Sequence, residues 1–152
     1  MPRLFPSEAV TPIPEADETK VTTVQFNRSW RFDFDKGDFV LTPTGRVAET
    51  TGLEAYIEWC KKALITPRYR HLIYSRNYGS EFDDLISRGL SREAIESEIK
   101  RMATEALMVD PRTATVKNFV FGWQEDAVYF TCSITTAQGD RTTVSSHVQG
   151  VV

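Results

Sequence analysis

"ALMVDPRTATVKNFVF", residues 106–121, begins as helix and ends as strand, and the change takes three residues. Upstream of it Ile95, Ile99, Met102, Ala106 and Leu107 recur at helical spacing; from Thr113 onward the apolar period is two. Pro111 accounts for the stop, because proline has no N–H to donate and drives the preceding residue out of the α region. Asp110 is the odd member. A carboxylate at a helix C-terminus meets the negative end of the macrodipole, at a cost of roughly 0.3–1 kcal/mol near a surface. Arg112 is the cation placed to offset it, so Asp110, Pro111 and Arg112 are read together as one junction motif.

Working outward from that junction, the C-terminal side is a meander. "TVKNFVFGW", "AVYFTCSI" and "RTTVSSHV" are separated by "QED" and "QGD", connections of hairpin length. In the second strand Val128, Phe130, Cys132 and Ile134 share a face, which makes Cys132 a core residue rather than a nucleophile. The third has only Val144 and Val148 among threonines and serines, too polar for a strand buried on both faces, and it reads as an edge.

The N-terminal side of the junction is helical. Ser91 caps the longest helix, on which Glu96–Lys100 and Arg101–Glu105 are spaced for surface ion pairs. Before it, "EFDDLISRG" predicts a short helix with Phe82, Leu85 and Ile86 on one side and Gly89 as its stop. Earlier still, Thr50 or Thr51 caps "GLEAYIEWCKKALI", with Leu53, Ile57, Cys60 and Leu64 as its apolar stripe. "WRFDFD", a Lys36-Gly37 turn and "DFVLT" predict an N-terminal hairpin. Residues 1–22 hold four of the seven prolines and a surplus of acid, and read as an extended arm. The expectation is an arm (1–22) and a single α+β domain (23–152). That domain comprises an N-terminal hairpin, three helices and a C-terminal antiparallel three-stranded meander, with the helices packed on one face.

The totals narrow the function. A net charge of −3 gives no global reason to expect a nucleic-acid binder. The first twenty residues lack the apolar stretch of a signal peptide, and no run approaches the roughly 18 apolar residues of a membrane span. Cys60 and Cys132 form neither a disulfide framework nor a CxxC pair, which fits a reducing compartment. There is no P-loop, GxGxxG, GxSxG or HExxH, and no metal or cofactor is expected. Carboxylates cluster at Glu81, Asp83 and Asp84 and at Glu54 and Glu58, so an acid pair of glycosidase type is conceivable. These acids fall on polar helix faces, where surface solvation is the better reading.

One segment stays unexplained by packing. "KKALITPRYRHLIYSRNYGS", residues 61–80, interleaves Lys61, Lys62, Arg68, Arg70 and Arg76 with aromatic rings and has no acid. That composition suits a protein interface, in which Tyr and Arg serve as anchors. It also suits single-stranded nucleic acid, or a loop that Tyr74 and Tyr78 simply anchor.

Three blocks in order now carry a resemblance: "ALITPRYRHLIYSRNYGSEFDDLI", the long amphipathic helix, and "DPRTATVKNF" leading into the meander. Over roughly residues 23–150 the chain resembles the baseplate wedge, or sheath-initiator, family of contractile phage tails and tail-like bacteriocins. It looks closest to the branch in PBSX-like prophages. Leu64 and Thr66 match the family's Leu-x-Thr, and Tyr78, Gly79 and Ser80 its aromatic-Gly-Ser. Asp110, Pro111 and Arg112 match its Glu-Pro-Arg, with the acid one methylene shorter. "TPRYRHLIY" stands where the family tends to have Gly-Glu-Arg after the threonine, and Arg76 where it tends to have proline.

The resemblance implies a structural, non-enzymatic baseplate component, present in six copies around the tail tube or hub. It would be held by wedge proteins, touch neither membrane nor nucleic acid, and be assembled in the bacterial cytoplasm into a virion or tail-like particle. The sheath protein would build its first ring on a sheet edge by strand addition. Partner contacts are expected at Thr66, Arg68, Arg70, Tyr74, Arg76, Tyr78 and Gly79, and along the edge at Thr142, Val144, Ser146 and Val148. The alternatives are a lysozyme-like peptidoglycan hydrolase of the same particle, or a small nucleic-acid-binding module.

Overall fold

The computed structural model describes residues 23–151; the arm expected over 1–22 lies outside them. Three long strands, β5 (Thr113–Gln124), β6 (Ala127–Thr136) and β7 (Arg141–Gln149), form an antiparallel meander in the order β5-β6-β7. Two α-helices, α1 (Gly52–Ile65) and α2 (Arg92–Met108), cover one face of it, α1 against β7 and α2 against β5. The inward alternation of β6 is as expected: Val128, Phe130, Cys132 and Ile134 are all buried. From α2 the stripe Ile95, Ile99, Met102, Ala106 and Leu107 meets them. Ser91 caps that helix, its Oγ accepting from the Ala94 N–H at 3.3 Å.

The differences from expectation have local causes. On α1 the buried side is Tyr56, Cys60, Ala63 and Leu64, whereas Leu53 and Ile57 are only partly covered. The stripe is rotated because Tyr56 is drawn inward, its hydroxyl 2.6 Å from Thr113 Oγ1 at the start of β5. Thr51 is the N-cap residue of α1 but makes no side-chain cap bond. The third expected helix is a single 3-10 turn, Phe82–Leu85. Burying Phe82 and Leu85, three apart, is what a three-residue period does, and it leaves Ile86 43% exposed.

The N-terminal hairpin is two residue pairs deep, Phe32↔Phe39 and Asp33↔Asp38, joining β2 (Phe32–Asp33) to β3 (Asp38–Phe39). Asp33 Oδ1 accepts the Asp35 and Lys36 N–H groups, and Gly37 takes φ +71° to close the turn. The chain then returns, so β1 (Ser29–Trp30) pairs with β4 (Glu49–Thr50) rather than prolonging the hairpin. On α2, Arg101 pairs with both Glu98 (2.7 Å) and Glu105 (2.9 Å). Glu96 does not take Lys100 as its partner; it accepts the Trp123 indole N–H at 2.8 Å, tying α2 to β5.

Candidate functional site

The helix–strand corner is built as a closed knot. Arg112 Nη2 lies 2.6 Å from Asp110 Oδ2, and its Nε shares both carboxylate oxygens at 3.0 and 3.1 Å. The Arg112 backbone N–H also donates to Asp110 Oδ1. Both side chains are largely out of solvent, 15% and 9% exposed, which makes the pair strong only while it stays intact. The guanidinium lies over the rings of Tyr56 (5.2 Å), Trp59 (5.6 Å) and Phe26 (6.0 Å). Sequence reading missed this aromatic cage; Tyr56 and Trp59, three apart on one helix, were its signal. The Ala137 N–H donates to the Arg112 carbonyl at 2.8 Å, so the corner also holds the turn from which β7 departs.

The second locus is the loop between α1 and the 3-10 turn. Thr66 closes α1, its Oγ1 donating to the Lys62 carbonyl at 2.6 Å. The loop's return is stitched to its outset. The Ser80 N–H donates to Thr66 O and the Arg68 N–H to Ser80 O, each at 2.9 Å, and Ser80 Oγ donates to Leu64 O. Gly79 makes this approach possible: at φ +102° a Cβ there would sit 2.6 Å from the Thr66 carbonyl. The two matched motifs, Leu64-x-Thr66 and Tyr78-Gly79-Ser80, are thus halves of one clasp. Tyr78 packs on Trp59 and Tyr74, and burial raises its hydroxyl pKa.

Beyond the clasp the expected contact residues divide. Arg68 is turned inward, 11% exposed and 3.5 Å from Glu81, and one of its nitrogens, Nε, has no partner among the described residues. Arg70 pairs with Asp83 at the surface, and Arg76 is exposed. The tip of the loop is apolar. Leu72 and Ile73 are fully or nearly fully exposed between His71 and Tyr74, whose N–H closes the turn on the His71 carbonyl. The signal for the tip was two aliphatic residues inside an otherwise basic run.

The third locus is β7. It holds one register against β6 from Arg141↔Thr135 to Gln149↔Ala127, and among the described residues it pairs with no other strand. Its bonding phase is set at both ends. The Thr136 N–H donates to Asp140 O, and the Gly150 N–H to Asp126 O. Bonded and non-bonded pairs alternate in an antiparallel ladder, so Thr142, Val144, Ser146 and Val148 spend their backbone groups on β6. Val144 and Val148 are buried, and these four side chains lie on the face toward α1. The outward N–H and C=O groups therefore belong to Arg141, Thr143, Ser145, His147 and Gln149, one residue out of step with the expected contact set.

Of the carboxylates named in the sequence reading, Glu81 pairs with Arg68, Asp83 with Arg70 and Glu54 with Arg31, whereas the buried Oε2 of Glu58 has no hydrogen-bond partner among the described residues. The cysteines are buried and resist ionisation. Burial pushes the Cys60 thiol up to about 12 and the Cys132 thiol up to about 11. Among the described residues no helix is long and apolar enough to cross a membrane, and no three His, Cys, Asp or Glu side chains converge as metal ligands would.

The model of the contractile injection system sheath initiator family matches residues 28–139. The phage-like element PBSX protein XkdS of Bacillus subtilis (strain 168) is 31% identical over 134 residues, covering 86% of this chain and 91% of that protein. A chain of the anti-feeding prophage baseplate, determined by cryo-EM with six-fold symmetrisation, shares the fold. It is 14% identical, has a TM-score of 0.52, and is covered to 88% by 84% of this chain. The chain belongs to the contractile injection system sheath initiator family.

Proposed function

We propose that this sheath initiator works by strand addition on β7, whose free backbone groups receive the first extended segment of the sheath ring. The chain is a structural baseplate component of a contractile injection system, in the setting of a phage-like particle. The observation that carries the finer reading is the edge itself: nine residues in one register with alternate donors and acceptors unspent. Residues 23–152 act as one unit in this reading. Six copies surround the tube or hub, assembled in the bacterial cytoplasm. Wedge proteins hold each copy through the clasped loop, where Arg70, Tyr74 and Arg76 sit outside the clasp and Leu72 and Ile73 form an apolar tip.

The reading is non-enzymatic. Its support is that three of the five clustered acids named above, Glu54, Glu81 and Asp83, are tied to arginines. Nucleic acid is the weaker alternative for the loop, because Arg68 and Arg70 are already neutralised by Glu81 and Asp83. Electron microscopy of particles made without this protein is the test. Tubes carrying a baseplate but no sheath are the expected result. Sheathed tubes of normal length would end the proposal.

A further inference from the structure

Among the described residues, two indentations lie beside the β7 edge next to the end of α1. One cavity, of 470 Å³, lies against Ser145, Ser146 and His147; Phe32, Phe34 and Ile65 form its apolar wall, and Asp33, Asp35 and Lys61 also line it. The other, of 390 Å³, lies against His147, Val148 and Gln149 and is walled by Ile65, Pro67 and Ile86. Ile65 and His147 border both, so the partly exposed Ile65 side chain at the end of α1 stands as a ridge between them. Along β7 the two cavities are displaced by two residues, from Ser146 to Val148. That is about 6.8 Å at the ~3.4 Å rise of a strand, the spacing of side chains i and i+2 on one face.

The phase of the edge makes this spacing meaningful. Ser146 and Val148 bond to β6, so an added strand bonds to Ser145, His147 and Gln149 instead. Its residues opposite Ser146 and Val148 then point to the same face as those two, toward α1. Those are the positions at which the cavities open. We propose that the β7 edge selects its added strand by side chain as well as by backbone. The sheath segment carries an apolar-x-apolar pair, the larger member seated beside Ser146 between Phe34 and Ile65, and an aliphatic one seated beside Val148 between Ile65 and Ile86. This inference rests on strand addition at β7 and adds the chemistry of what is added.

Four variants, each introduced into the particle and checked for an unchanged melting temperature as the free chain, separate the two ideas. Ser145→Pro removes an outward donor and tests strand addition. Ile65→Glu places a charge on the ridge and tests selection, with Ile65→Val as its conservative control. Ile86→Asp, on a different element, carries the same test if Ile65→Glu does not fold. The expected result is unsheathed tubes with Ser145→Pro and sheathed tubes with Ile65→Val. With Ile65→Glu or Ile86→Asp the sheathed fraction falls about tenfold or more, as for a loss of roughly 1.4 kcal/mol in seating the strand. Ser145→Pro unsheathed, with both charged variants sheathing like wild type, overturns side-chain selection and leaves strand addition standing. Normal sheathing with Ser145→Pro overturns both.

Discussion

Along β5 the ladder to β6 slips twice, between Thr113 and Thr115 and between Lys117 and Val120, whereas β7 keeps one register throughout. Asn118, at φ +56°, sits in the second slip beside exposed Lys117. Bulges and an edge lysine are how proteins stop a strand from templating another. The same three-stranded sheet therefore has one edge made irregular and one left open. An open edge is an aggregation hazard unless something is meant to pair with it. The contrast supports the proposal that β7, and not β5, is the edge to which a strand is added.

The strongest way to break the contrast is through the phase of β7. Val144→Pro removes an N–H that bonds to β6 and should cost about 3 kcal/mol or more, read as the shift in urea midpoint. Ser145→Pro removes an outward N–H and the exposed Ser145–Thr131 hydroxyl contact but no ladder bond to β6, and its cost should stay below about 1 kcal/mol. Equal losses from the two would show that the phase deduced for this strand is wrong.

A smaller effect is expected at the corner that anchors both edges. Arg112→Ala leaves Asp110 charged in a site almost closed to water and empties the cage over Tyr56 and Trp59. The loss should be about 2–3 kcal/mol. Hydrogen exchange should also quicken at Ala137, whose N–H rests on the Arg112 carbonyl. An unchanged melting temperature would make Arg112 a contact with a partner instead of an anchor of the fold.

The smallest effect sharpens the β5 side. Asn118→Gly should change stability by no more than about 0.5 kcal/mol, since glycine accepts a positive φ without strain. Asn118→Val should cost about 1–2 kcal/mol, because a β-branched residue resists that conformation. If valine is tolerated as well as glycine, the bulge is not held by the backbone conformation assigned to it.

The elements that local chemistry dictates were legible in the sequence. Ser91 at its cap, the α2 stripe and the alternation of β6 each follow from hydrogen bonds and apolar spacing within a dozen residues, and each is realised. Asp110 was recognisable as a charge needing Arg112, because the two are adjacent and the helix end penalises one of them. Arg68 is indistinguishable from Arg70 in the sequence, yet only Arg68 is turned inward. Its burial depends on the Gly79 clasp bringing Glu81 beside it, a contact across thirteen residues that no local pattern encodes.

By itself the chain determined that a helical half meets a strand half at Asp110-Pro111-Arg112, and that the last strand is too polar to be central. Which residues of that strand look outward was decided only in the fold. Period-two alternation leaves two bonding phases open, and the choice between them falls to the turns at Thr136–Asp140 and Asp126–Gly150. The indentations beside β7 are tertiary for a similar reason: their walls come from the hairpin, the end of α1 and the 3-10 turn, segments brought together by burying one shared core.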